Sequence, residues 1–485
     1  MTSKQVVAGP TAAAQTTFIS QTTEHGRQPG TRERFPWLLG LVCLLIGILP
    51  SYVVAPGPLK SNGSPVKLIA ILLLALTGLG FLAVRRGART ARLSPGMVFL
   101  LGYFLATLLV YGVGIAHTGT VLEKSASTRY AITLLANVGV SAYAMTRIES
   151  ARQRSFLLGA TAIGLTFNCI VGLLQHLTTI DLHLLFQPPG FTLTDPNQFL
   201  ATGTTLSERS GSKRAVGTTL HPIEFSVLCA VTVPLTLHFA RYGRFGWTRL
   251  LGAVGAVVAI VALPAGVSRT GLVTLAAAML VYIWSFKLRA ICTAAAVGAA
   301  ALLVEFVLSP QTARAMINTV TNASQDTSVQ ARIADYGRVS ESFRAHPIFG
   351  RGLGGTPASE FGWLDNEWLQ ALVQGGIVGF SGMLIIAVGA LFGAAAALRG
   401  AAGDGESSRR DRDQAFAMGS ILIGILASST TFDLFSYQSA TILLFMLFGL
   451  TWCNFHVYFV GAKQSFVRAA TSRLLLSRSH SRASG

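Results

Sequence analysis

Apolar runs long enough to cross a bilayer recur from one end of this chain to the other. They lie at 35–55, 66–84, 95–116, 130–145, 156–177 and 223–239, and again at 245–264, 267–286, 290–308, 377–398, 415–435 and 440–460. A hydrocarbon core is spanned by a helix of about 20 residues. Lipid offers the backbone no hydrogen-bond partners, so only helices and closed barrels cross it. Runs of this length point to helices. The expected fold is all-α, a polytopic transmembrane bundle of about twelve spans with a long, partly helical outer loop. The run at 130–145 is short for a span and is expected to begin upstream. Composition agrees: 51% of the 485 residues are hydrophobic and 12% are charged, against roughly 25% charged in soluble domains. That excludes a soluble globular enzyme.

The formal net charge is +18, which in a soluble protein would point to nucleic acid. Here the placement of the charge gives another reading. Basic residues fill every second connection: Arg85, Arg86, Arg89 and Arg92; Arg147, Arg152 and Arg154; Arg241, Arg244 and Arg249; Lys287 and Arg289; Arg399, Arg409, Arg410 and Arg412. Cytoplasmic connections carry such an excess. Both termini are therefore expected in the cytoplasm, and no nucleic-acid partner is expected. Residues 1–34 are polar and aperiodic, a disordered cytoplasmic tail rather than a cleavable leader. Residues 35–462 form the transmembrane domain, and 463–485 a basic cytoplasmic tail. In that tail Phe466, Val467, Leu474, Leu475 and Leu476 alternate with arginines, which suits a helix on anionic lipid or a solvated tail equally. Cys43, Cys169, Cys229, Cys292 and Cys453 all lie in apolar runs and read as small buried thiols.

Two connections on the outer side are long, about 178–222 and 309–376, and loops of that length are often functional. The first ends with Arg214, Gly217, His221 and Glu224. An ionisable group at the mouth of a span usually faces a cavity or a partner. His221 before Pro222 also suits a helix cap or an interface residue. A second cluster, Ser268-Arg269-Thr270, puts a guanidinium on the outer side, where it either snorkels or clamps an anion. Ser268 and Thr270 are placed to cap or orient it.

The third cluster is the densest. Ile333, Tyr336, Val339 and Phe343 recur near helical spacing among Arg332, Arg338 and Arg344, which predicts an amphipathic helix across the outer face. His346-Pro347 and a turn with Gly350, Arg351, Gly352, Gly354 and Gly355 follow. The turn follows no strand, so it is not a dinucleotide loop. Then come Trp363, Asp365, Asn366, Glu367 and Trp368. Carboxylates here are candidates for proton transfer, and Asp365 is also a candidate N-cap. The tryptophans suit interfacial anchoring or stacking on sugar rings.

Three of these stretches, Arg214 with GTTLHP, SRTG around Arg269, and HPIFGRGLGG followed by LDNEWLQALVQGGIVG, resemble the O-antigen ligase and O-antigen polymerase family of bacterial membrane glycosyltransferases. The resemblance covers roughly residues 214–380. It implies transfer of a glycan from a polyprenyl-diphosphate carrier to a glycan or lipid-linked acceptor at the outer face of the cytoplasmic membrane, with membrane lipid as the further partner. Ligases deliver to a lipid-A core, whereas polymerases extend another carrier-linked chain. Family ligases typically carry His before the Asn of the third stretch. Asp365 stands there in this chain, which favours a surface-polysaccharide polymerase. On this reading Arg214 and Arg269 stabilise the departing diphosphate, with Arg351 and Arg332 in lesser roles. Asp365 is the first choice of base, Glu367 the second and Glu224 the third. Asn366, His221, Gly352 and Trp363 complete the substrate-binding set. No cofactor and no metal are expected, because a guanidinium clamp can do a metal's work. The rival from another class is a transporter or flippase, which the span count also suits.

Overall fold

A computed structural model of the protein describes residues 35–57, 62–84, 94–117, 120–178, 188–193, 208–209, 212–321, 327–356, 361–362, 364–401 and 405–453. The tails expected at 1–34 and 463–485 and the basic residues Arg85, Arg86, Arg89 and Arg92 lie outside the described residues. Among the described residues the chain forms α1 (Trp37–Ile48), α2 (Pro65–Val84), α3 (Pro95–His117), α4 (Val121–Arg147), α5 (Ala151–Leu177), α6 (Pro222–Tyr242) and α7 (Gly246–Ala262). These continue as α8 (Arg269–Tyr282), α9 (Leu288–Leu308), α10 (Pro310–Thr321), α11 (Thr327–Ala345), α12 (Glu367–Gly400), α13 (Glu406–Ser428) and α14 (Gln438–Trp452). Two antiparallel pairs of two-residue strands join Val53–Val54 to Thr192–Leu193 and Glu208–Arg209 to Ser212–Lys213.

The class is therefore all-α and polytopic. Among the described residues, seven helices are long and apolar enough to cross a membrane: α2, α3, α5, α6, α7 with its extension to Gly266, α9 and α12. Helices α1, α8 and α14 are apolar but shorter. Each expected run falls on a helix, and the short run at 130–145 belongs to α4. That helix starts upstream, where Thr120 and Glu123 form a reciprocal capping box. The expected amphipathic helix forms as α11, although only Val339 of its apolar series is shown buried, against Leu364 and Val373. Ile333 and Tyr336 are exposed.

The centre of the bundle is α14, buried from Ser439 to Trp452. A helix that is apolar all round belongs inside a bundle. It packs against α4, where a Cβ on Gly449 would lie 2.7 Å from the Ser141 carbonyl oxygen. In lipid, such close backbone approach replaces the hydrophobic drive between helices. Cys43, Cys169, Cys229 and Cys453 are buried as expected, whereas Cys292 is exposed on the outside of α9.

Helix α12 breaks at Gly376, whose φ is 58°. The break frees backbone groups on both sides, and the turn after α11 takes them up. Arg351 and Gly352 N–H groups donate to the Val373 and Gln374 carbonyls at 2.9 Å each. In return the Ile377 and Val378 N–H groups donate to Pro347 and Ile348 at 2.9 and 3.1 Å. The His-Pro-Ile-Phe-Gly-Arg-Gly turn is thus the complement of the Gly-Gly break, which is why the two stretches occur together.

At the opposite end of the bundle a polar knot ties three helices together. His238 on α6 bonds Asp413 on α13 at 2.7 Å, and the Tyr282 hydroxyl at the end of α8 donates to the same carboxylate at 3.0 Å. Arg241 also pairs with Asp413 and donates to the Ser285 hydroxyl at 2.9 Å. Asp413, the second acid of the Asp-x-Asp spacing in Asp411-Arg412-Asp413, is therefore occupied in holding helices.

A Cβ at position 376 would lie 2.5 Å from the Ile348 carbonyl on a left-handed backbone. Gly376→Ala is expected to destabilise the protein by about 1–3 kcal/mol. Gly78→Ala, on an open face of α2, should be neutral or stabilising. Thermal unfolding of both variants in nanodiscs checks this; equal melting temperatures would remove the break from the account.

Candidate functional site

The site is assembled from four chain turns at one end of the bundle. The first precedes α6. Gly217, with φ 58°, bends the chain so that its N–H donates to Gln175 Oε1 at 2.8 Å, while Gln175 Nε2 donates back at 3.1 Å. Thr218 is held by Asn168 Oδ1 through both its N–H and its hydroxyl. This anchorage carries Arg214 and His221 on either side. The second turn joins α7 to α8. Its buried Val267 adopts φ 43°, a strained conformation for a β-branched residue. It reverses the chain so that Arg269 opens α8, half-buried.

These two turns pair with each other. Ala215 N–H donates to the Ala265 carbonyl at 2.8 Å, and Arg214 Nε donates to the Gly266 carbonyl at 2.9 Å. Arg214 is thus fixed to the residue three before Arg269. Ser268 makes no side-chain cap. Thr270 instead bonds the Thr431 hydroxyl at 3.1 Å, tying the start of α8 to the connection between α13 and α14.

That connection is the third turn, and the start of α12 is the fourth. Asn366, rather than Asp365, caps α12: its Oδ1 accepts from Trp368 and Leu369 N–H at 2.9 and 3.2 Å. Glu367 is buried; its N–H donates to the Ser429 carbonyl at 2.9 Å, and its Oε2 accepts from Phe435 N–H at 2.8 Å. Glu224, fully buried on α6, accepts from Ser439 and Ala440 N–H at 3.0 and 3.2 Å and from Leu220 N–H at 3.3 Å. It therefore caps the central helix α14 from outside, as a carboxylate at a positive helix end does.

Two residues not singled out in the sequence complete the group. Asp433 is 7% exposed in the connection before α14. Tyr437 stacks on Phe432 with ring centres 4.6 Å apart and lies 5.9 Å from the His221 ring. Burial, then the neighbouring Asp365 carboxylate, pushes Asp433 up to about 7. Burial, then the Arg214 charge, pushes His221 down to about 3, so its ring is neutral and accepts from Ile223 N–H as a cap. Burial holds the Tyr437 phenol well above its ordinary value. Asp433, Glu224 and Asp365 add to that effect and Arg214 opposes it. Arg214, Glu224, Asp365 and Asp433 are thus all within electrostatic reach of one phenol. A guanidinium, a carboxylate titrating near neutrality and a second carboxylate beside it can bind an anion and move a proton.

The remaining expected residues lie elsewhere. Arg351 is exposed, its guanidinium 5.4 Å from the centre of the Phe361 ring. Gly352, with φ 89°, packs against Gly114 of α3, so its lack of a side chain serves turn packing. Arg332 lies on α11, but its side chain is outside the described residues, as is Trp363. Asp433 escaped notice because it falls inside the apolar run at 415–435. An ionisable residue in such a run was itself the signal.

Asp433 has a folded-state pKa of about 7 against an ordinary 3.8. The folded state therefore holds this proton more tightly than the unfolded state does. Its stabilising contribution is complete below pH 3.8 and is lost as pH rises through 7. Asp433→Asn should flatten the decline in melting temperature between pH 5 and 8. An unchanged pH profile would place Asp433 in water.

The family model described as O-antigen ligase matches residues 254–384. The match covers Arg269, the paired turn and break at Gly376, and Asp365, Asn366 and Glu367; Arg214, His221, Glu224 and Asp433 lie outside it. No curated protein matches the chain. The family carries out glycan transfer on lipid-linked substrates, and the apolar helices agree with an inner-membrane protein. Over residues 254–384 the chain is similar to the O-antigen ligase model, which is consistent with an O-antigen ligase or polymerase family.

Proposed function

We propose that this protein moves a glycan from a polyprenyl-diphosphate carrier to an acceptor glycan, as a surface-polysaccharide polymerase. The observation that carries the reading is the convergence of Arg214, Asp365, Glu224 and Asp433 on Tyr437, at the end of the bundle where Arg269 opens α8. In the reaction the acceptor oxygen bonds to the anomeric carbon as the bond to the diphosphate breaks. The diphosphate keeps the electron pair, and the acceptor's proton passes to a carboxylate. Direct displacement inverts the anomeric centre.

Charge builds on the leaving diphosphate, so cations already in place lower the barrier most. Arg214 and Arg269 supply them, and no metal is then required. Asp365 takes the proton. Its neighbour Asp433, pushed up to about 7 by burial and then by the Asp365 charge, can in turn receive that proton. Glu224 is the less accessible base, since it is fully buried and its oxygens are already engaged by three backbone N–H groups.

The same reading places twelve crossings in the cytoplasmic membrane, both termini in the cytoplasm and the site on the outer face. Support comes from the helix connectivity. Arg147, Arg152, Arg154, Arg241, Arg244, Arg249, Lys287 and Arg289 all sit at helix ends or in the connections between them, at the end opposite Arg214 and Asp365, where cytoplasmic loops carry such an excess. Residues 35–462 act as one transmembrane domain between two tails. The description of the matching family as O-antigen ligase favours a second outcome, delivery to a lipid-A core.

Reconstitution with carrier-linked repeat units, with and without lipid-A core, separates the two. A polymerase builds glycan ladders without the core, whereas a ligase makes product only with it. Arg214→Ala, Arg269→Ala and Asp365→Ala should each lower product by at least about 100-fold at normal abundance. Full-length ladders from all three would refute the site. Movement of carrier-linked glycan across proteoliposomes without any acceptor would identify a flippase.

A further inference from the structure

Beside Glu367 lies a cavity of about 60 Å³ between α3, α4 and α12. Its walls are mixed: Tyr130, Asn137, Gln370 and Gln374 alternate with Val110, Leu134, Met383 and Phe435. Its volume is far below that of a sugar or a drug-sized ligand, for which pockets run from roughly 300 Å³ upward. It is enough for about four water molecules at roughly 15 Å³ each.

The polar walls need such an occupant. Asn137 is 2% exposed, lines the cavity, and its Oδ1 has no hydrogen-bond partner. A buried amide oxygen left unsatisfied costs about 1–3 kcal/mol, and a water satisfies it. The other polar groups lead outward from the site. Glu367 lies within electrostatic reach of Asp433, Tyr103 and Tyr130. The Tyr130 hydroxyl accepts from Gln370 Nε2 at 2.8 Å. Gln374 accepts from Gly354 N–H at 3.2 Å and donates to the Thr356 hydroxyl at 2.7 Å, so the chamber reaches the glycine-rich turn.

We propose that this chamber is filled with water and carries the acceptor's proton from the carboxylates of the site, through Glu367, towards the turn at Gly354 and Thr356. The step is a proton transfer alone: each turnover leaves one proton on a carboxyl group, which passes it to water and regains its charge. Asn137 positions the water and touches no substrate. The relay rests on the glycan-transfer reading, but the presence of water does not.

The first test is therefore hydroxyl-radical footprinting of the full-length protein in nanodiscs. Met383 in the chamber wall and Met446 in the core are each 1% exposed. Water inside the chamber should make Met383 oxidise at least about 10-fold faster than Met446, and Asn137→Leu should reduce that difference. Equal rates would overturn the chamber whatever reaction the protein performs. The second test is turnover. Asn137→Leu, and Thr133→Val at another residue of the chamber wall should the first variant fail to fold, is expected to lower kcat about 10-fold with the donor KM unchanged, less than the roughly 100-fold or more that losing the general base itself costs. A fast-oxidising Met383 with an unchanged kcat in both variants would overturn the relay.

Discussion

Two buried glutamates from helices far apart in the chain end on the same short piece of backbone. Glu367 accepts from Phe435 N–H, and Glu224 accepts from Ser439 and Ala440 N–H. A buried carboxylate is expensive unless hydrogen-bonded, and the N–H groups at the start of a helix lack intrahelical partners. Each need answers the other. The start of the central helix α14 is thereby locked to α6 and α12, and Tyr437, between the two anchors, is held within electrostatic reach of Arg214 and Asp365. Without those amides, neither glutamate would be tolerated at that depth.

The second constraint comes from lipid. Irregular backbone within a membrane bundle survives only where every freed group finds a partner. The break at Gly376 meets that demand by exchanging four hydrogen bonds with the turn at 347–352. The exchange shortens the functional part of α12 to the stretch from Glu367 to the break. It also fixes the glycine-rich turn over α3, where Gly352 meets Gly114. A motif that looks like a ligand loop in the sequence is here a backbone splice, and the polar chemistry lies at the other end of that short helix.

The clamp of His238, Arg241, Tyr282 and Asp413 has a matching role at the far end of the bundle. The three helices it joins, α6, α8 and α13, lead towards Glu224, Arg269 and Asp433 respectively. Fixing helices at both ends limits how far the charged groups at the site can drift, and effective positioning depends on tolerances below an ångström.

Helix positions were legible because apolar length and capping residues are local properties: Thr120 with Glu123, and Pro222 after His221, mark helix starts in the sequence itself. The three motif stretches were legible as well, since Arg269, Arg214 and Asp365 are costly residues near hydrocarbon. The sequence did not disclose that Asn366 is the cap and Asp365 the neighbour, because both residue types favour that position. Nor did it disclose that Gly352 serves packing, or that Asp433 and Tyr437 join the group. Those outcomes depend on which helix ends meet in space. The sequence alone determined an all-helical membrane protein with polar groups in a few connections. Tertiary structure decided which of them share a common field, because burial and neighbouring charge, rather than residue type, set the behaviour of Asp433, His221 and Tyr437.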